Sequence, residues 1–174
     1  MNRFSTAFLL TNLAFAALLP GMRAEPAVTA SKMSSYKPAG PTLAQSLVDL
    51  LPKKYPGVQC AAIHALLPGG ADHAVIASCK SEELGALDDD FDIGVEERQN
   101  MYVKPLINEN YARTVIILPV KNASGKALNA AWEIYLRSSP TADQVKLLTD
   151  AMAIRDDMAG RIPDLSALFA PPAQ

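Results

Sequence analysis

The stretch from Tyr111 to Ser138, "YARTVIILPVKNASGKALNAAWEIYLRS", constrains the fold most, because two long apolar runs flank a turn that carries a glycine. Such runs, rich in Val, Ile and Ala on either side of a turn signal, read as antiparallel strands. Treating Ala123-Ser124-Gly125 as a three-residue loop, with Gly125 left-handed, pairs Asn122 with Lys126 and sets the register. Thr114, Ile116, Leu118 and Val120 then share one face opposite Ile134, Trp132, Ala130 and Leu128, a coherent core side. The other face sets Tyr111, Arg113, Val115 and Ile117 opposite Arg137, Tyr135, Glu133 and Ala131, mixing aromatic with charged groups. Asn122 also opens an "NAS" glycosylation triplet, but its place in a tight turn predicts a structural role.

A second stretch, "CAAIHALLPGGADHAVIASC", holds both cysteines and both histidines of the 174-residue chain. Its apolar runs, Val58 to Leu67 and Ala74 to Cys79, read as central strands covered on both faces. With "PGGA" as a four-residue loop, Leu67 faces Asp72 and Cys60 falls opposite Cys79 at a non-hydrogen-bonded position, where side chains approach most closely. This predicts a Cys60–Cys79 disulfide in an oxidising compartment, contributing about 3 kcal/mol in the chain-entropy model. The same register puts His64 on the face of Cys60 and diagonal to His73, a zinc-capable set of residue types. The spacing lacks a Cys-x-x-Cys or His-x-x-x-His knuckle, and about 13 Å of strand separates each cysteine from the nearer histidine. The histidines are therefore expected as satisfied or solvent-edge groups and no metal is assigned. Redox and covalent haem chemistry lack their Cys-x-x-Cys motifs.

The compartment follows from the opening residues. Arg3 supplies a positive n-region, Phe8 to Leu19 an apolar core and Pro20-Gly21 an exit, the layout of a secretory signal peptide over residues 1–24. Cleavage is expected after Ala24, with Ala30 as the fallback. The apolar run is shorter than the roughly 20 residues of a membrane span, so no membrane association is expected after cleavage, and the location is read as periplasmic or secreted. Residues 25–40, rich in Pro, Ser, Ala and Lys, read as a flexible leader; residues 41–169 make one domain and 170–174 a tail. A net charge of −2, without a basic stripe, removes the electrostatic basis for nucleic-acid binding.

The remaining elements frame the strands. "TLAQ" at Thr42 and "TADQ" at Thr141 are capping boxes opening an N-terminal helix over Leu43, Leu47, Leu50 and Leu51 and a C-terminal helix over Leu147, Ala151, Ile154, Met158 and Ile162. Between them "KSEELGALDDDFDIGVEERQN" reads as a short helix plus loop crossing over the sheet, followed by a short strand around Met101 to Val103. The order predicts an α+β fold, an antiparallel sheet of about five strands flanked by N- and C-terminal helices.

The segments "VIASCKSEELGALDDDFDIG" and "LPVKNASGKALNAAWEIYL" resemble the extracytoplasmic PAS-like sensor modules of the Cache group. Those modules show a strand ending in a "KS…LG" segment, an acidic loop with an Asp before a hydrophobic residue, and a "PV-x-N/D-x-x-G" hairpin. The resemblance spans Thr42 to Ser138 and implies a PAS/Cache-like sheet that binds a small molecule between the sheet and the acidic crossover. On that basis Arg113 is the expected anchor for a ligand carboxylate, Tyr102 and Tyr135 the expected walls, and Asp92 the group facing an amine; the alternative for Arg113 is a rim ion pair with the diagonal Glu133, without function. The expected ligand is a small carboxylate or amino acid, with no cofactor, and a protein partner would receive the signal. A periplasmic structural or interaction protein without a ligand is the second reading.

Catalytic readings fare less well. Asp88, Asp90 and Asp92 alternate as in calcium loops, but Ile93 stands where the turn glycine belongs and Gln99 where the bidentate Glu belongs, which leaves a solvated acidic loop. No G-x-S-x-G elbow occurs, and Glu96-Glu97 and Asp156-Asp157 read as ordinary surface. The chain is not read as an enzyme.

Overall fold

The computed structural model describes residues 32–107 and 112–172. The expected signal peptide, residues 25–31 of the leader and Tyr111 lie outside the described residues. The elements are α1 (Leu43–Lys54), β1 (Val58–Leu66), β2 (His73–Ser78), α2 (Asp90–Arg98), β3 (Tyr102–Ile107), β4 (Ala112–Lys121), β5 (Ala127–Arg137) and α3 (Gln144–Ala159). The strands form one antiparallel sheet in the order β2-β1-β5-β4-β3, so the fold is α+β with five strands. Among the described residues no helix is long and apolar enough to cross a membrane.

The core lies on the face covered by α1 and α3. Ile63, Ile116, Leu118, Trp132 and Ile134 pack there against Leu47, Leu51, Ile154 and Met158. Burial of such side chains contributes about 1.5–3 kcal/mol each. Thr42 caps α1, its Oγ1 accepting from the Gln45 amide at 3.1 Å, as its capping box predicts. At α3 the cap is Asp143 rather than Thr141, because the Asp143 carboxylate accepts from the amides of Val145 and Lys146 at 2.9 and 3.1 Å.

The β4–β5 turn forms as expected. Gly125 is left-handed at φ 79°, and the Asn122 amide donates to the Lys126 carbonyl at 2.9 Å. The Asn122 side chain closes the turn by accepting from the amides of Ser124 and Lys126. Beyond it the register differs: Leu118 faces Trp132, Ile116 faces Ile134 and Arg113 faces Arg137. The slip of two residues occurs at an irregularity between Pro119 and Lys121, where proline has no N–H for the ladder. A slip of two preserves the faces, and Thr114, Ile116, Leu118 and Val120 are all fully buried.

In the β1–β2 hairpin Leu67 donates to the Asp72 carbonyl at 2.9 Å, as the loop assignment requires, and an irregularity between Ile63 and His64 shifts the cysteine end by one residue. The Cys60 and Cys79 Cα atoms still lie 5.6 Å apart, and the disulfide is formed. β2 proves to be an edge strand. Its outer edge is covered: Val75 donates to Ala86, Gly85 to Val75 and Asp88 to His73. Gly85, at φ 85°, makes that return possible, and an added Cβ would stand 3.0 Å from the Tyr36 carbonyl. The end of the expected leader is thereby tied down, since Ser34 donates to the Gly85 carbonyl and Tyr36 packs edge-on against Phe169. β3 is longer than expected and forms the other edge, which is compatible with Pro105 within it.

Candidate functional site

The opposite face of the same sheet carries His64 on β1, Glu133 and Tyr135 on β5, and Val115 and Ile117 on β4, with α2 laid across it. Asp89 starts that helix by accepting from the amides of Phe91 and Asp92 at 2.9 and 3.1 Å. Asp92 and Glu96 lie four residues apart on one face of α2, and this face meets the sheet, while Asp88 stands just before the Asp89 cap, its amide donating to the His73 carbonyl of β2.

The contacts are polar and buried. His64 Nδ1 lies 2.7 Å from Asp88 Oδ1 and 3.8 Å from Asp92 Oδ2, while its Nε2 lies 3.6 Å from Glu133 Oε2. His73 Nδ1 lies 2.6 Å from Glu96 Oε2 and its Nε2 3.4 Å from Glu97 Oε1. The Asp88 side chain is only 1% exposed and that of Glu96 0%. The acidic crossover is therefore not a solvated loop, Glu96 is not surface, and neither histidine stands at a solvent edge. The physical reason is the cap at Asp89, which starts a helix whose Asp92 and Glu96 turn toward the sheet while Asp90 and Glu97 stay exposed. Asp156 and Asp157 do remain on the surface.

Electrostatics follow from that burial. Burial opposes a charge on His64, but its contacts with Asp88 and Glu133 and the Asp92 charge outweigh this and hold it well above its ordinary value. Burial raises the Asp92 carboxyl to about 6 against an opposing His64 charge. Burial and the neighbouring Asp88 carboxylate push Glu96 far up. Burial also acts to raise Glu133, yet His64 and Tyr135 hold it below its ordinary value.

Beside this cluster a cavity of about 400 Å³ opens between α2 and strands β3 to β5. Phe91, Tyr102 and Tyr135 supply aromatic walls; Asp89, Asp92 and Glu133 supply acidic groups, with Lys104 also on the lining. Phe91 and Tyr102 meet edge to face at 5.5 Å, and the Tyr135 hydroxyl donates to Glu133 Oε1 at 2.9 Å. Tyr102, Tyr135 and Asp92, three of the four residues expected to bind a ligand, thus border one space. Arg113 does not border it: its guanidinium carbon lies 4.9 Å from the centre of the Tyr135 ring. Cys60 packs with Val115 and Tyr135, so the disulfide lies behind this wall.

The sequence reading missed His64, Asp88, Glu96 and Glu133 as members of one site. The signal available in the sequence is the four-residue spacing of Asp92 and Glu96, continued backward to Asp88, which competes with the alternate spacing of Asp88, Asp90 and Asp92.

No family model matches the chain, and no curated protein matches it. Among solved structures it is similar to a GAF domain from A. aeolicus (nlh2, in an inactive state), with 17% identity, TM-score 0.48, and coverage of 75% of this chain and 85% of that one. It is similar also to the GAF domain of an Acinetobacter phosphoenolpyruvate-protein phosphotransferase, with 15% identity, TM-score 0.43 and coverage of 70% and 84%. A third is the inducer-binding domain of the PobR transcription factor from Acinetobacter, a double mutant in complex with 3-hydroxybenzoic acid, with 15% identity, TM-score 0.37 and coverage of 69% and 95%.

Proposed function

We propose that the chain is an exported, PAS/Cache-like binding module, not an enzyme, that takes a small molecule with a cationic amine and an apolar or aromatic body into the cavity between α2 and the sheet. It would act in the periplasm or outside the cell, relaying occupancy to a protein partner. The observation that carries the reading is the pairing of three aromatic rings with three carboxylates around one space of about 400 Å³. Aromatic faces and carboxylates both favour cations, and a desolvated cation over such a ring gains about 2 kcal/mol. An amino acid fits if its amine meets Asp92 and its carboxylate meets Lys104. Arg113 is left to brace Tyr135.

A thermal-shift screen of aromatic amines, amino acids and amine-free carboxylates tests this on the wild type, Tyr102→Ala and Asp92→Asn. Stabilisation by amine-bearing compounds alone, lost in both variants, is expected. Shifts that survive both substitutions, or no shift by any compound, contradict the reading. The interaction-protein alternative is favoured by one observation, half-exposed Met101 and Ile107 flanking and ending the edge strand β3.

A further inference from the structure

We propose that His64, Asp88 and Asp92 form a binding site for a divalent transition-metal ion of the zinc class, oriented by Glu133, Glu96 and His73 around them. One imidazole nitrogen and one carboxylate oxygen from each aspartate lie within 4.8 Å of one another. The donors come from β1, from Asp88 just before the α2 cap and from Asp92 in the first turn of α2, so the fold assembles them rather than a local motif. Three protein ligands with an open fourth position is the arrangement of zinc sites that hold an exchangeable group. The mixed nitrogen and oxygen set suits zinc, iron or nickel, whereas calcium and magnesium take oxygen alone.

A second observation points independently to a bound cation. His64 Nε2, Asp88 Oδ2 and Glu96 Oε1 are buried and have no hydrogen-bond partner among the described residues. Their side chains are 8%, 1% and 0% exposed. Buried polar atoms are nearly always paired, so three orphans in one cluster require an explanation. Charge supplies it: three carboxylates, Asp88, Asp92 and Glu133, stand around the single His64 imidazole, and a divalent ion offsets the excess.

The geometry also selects between two overlapping trios. His73, Asp88 and Glu96 form the second one, sharing Asp88, but its members are the more deeply enclosed. The His64 trio borders a cavity of about 230 Å³, lined also by Glu133 and Tyr135, which gives an ion a way in. Glu133, 3.6 Å from His64 Nε2, stands where an outer carboxylate fixes the orientation of a metal-bound imidazole. Asp92 borders both cavities, so the ion and a ligand amine draw on the same negative charge.

The test needs no organic ligand and so stands apart from the preceding proposal. The full chain, disulfide intact and stripped of metal, is dialysed against zinc chloride with excess magnesium, and metal per chain is measured. Saturable zinc uptake is expected, with visible cobalt(II) bands of nitrogen and oxygen ligation when cobalt replaces zinc. Asp88→Asn abolishes uptake, and Glu133→Gln weakens it about 10–100-fold as an outer-shell change. Asp92→Asn, at the edge of the cluster, tests the same donor set with less risk to folding and is expected to weaken uptake at least as much. Absence of saturable zinc in the wild type overturns the proposal, as does uptake unchanged in both Asp92→Asn and Glu133→Gln; protons alone then complete the cluster.

Discussion

The two faces of the sheet are built from the same strands and both bury residues at their centre, yet they obey opposite physics. Ile63 and Trp132 on one face are neighbours in sequence of His64 and Glu133 on the other, and all but Glu133 are at most 6% exposed. On the α1–α3 face burial mainly removes apolar surface from water, with Trp132 Nε1 buried there without a hydrogen-bond partner among the described residues. On the α2 face burial raises the free energy of charge, and the groups tolerate it only through one another. Depth alone therefore does not separate core from site; the identity of the neighbours does.

The largest effect expected is on the apolar face. Trp132→Ala empties a fully buried position and should cost about 3–5 kcal/mol in urea unfolding. A loss below about 1 kcal/mol would mean this face is not the stabilising one. Next comes the covalent part of the polar face: Cys60→Ala with Cys79→Ala opens a loop of sequence separation 19 and should cost about 3 kcal/mol. An unchanged unfolding midpoint would show that the hairpin holds without its staple.

Glu96→Gln should by contrast change stability by under about 1 kcal/mol, although the residue is fully buried, because burial and the Asp88 carboxylate favour its neutral form and the amide is isosteric with it. A large loss would show that Glu96 is ionised in the fold. The smallest effect is a pH dependence of the metal-free protein. Burial raises Asp92 from 3.8 to about 6, with Asp88, Asp89 and Glu133 adding to this and His64 opposing it. A carboxyl that holds its proton more tightly when folded contributes stability that is complete below its unfolded value and is lost as pH rises through the folded one. The Tm of Asp92→Asn relative to wild type should therefore rise between about pH 4 and pH 7. A flat difference would mean that Asp92 is solvated.

The apolar face was legible in the sequence because alternation and helical period report it directly. The turn at Gly125 and the cap at Thr42 likewise fix local geometry with a few residues. The slip at Pro119 escaped because a lost N–H says where a ladder breaks and not by how much it moves. The disulfide survived the irregularity at Ile63 and His64 because the cysteine Cα atoms stay within bridging range after a shift of one. The polar cluster was hidden for another reason. Its residues come from β1, β2, β5, α2 and the segment leading into α2, and no spacing along the chain encodes how a helix docks on a sheet. Only the period of Asp88, Asp92 and Glu96 hinted at it, and Arg113, a plausible anchor by chemistry, lies against Tyr135 instead.

The central claim is that one face folds the protein and the other binds. Amide chemical shifts of the labelled protein, followed by NMR during titration with phenethylamine, test it most directly. Perturbations confined to α2, β3 and residues 133–135, with α1 and α3 unmoved, are expected. Perturbations centred instead on the cavity of about 360 Å³ between Tyr55 and Ile154, beside α3, would contradict it.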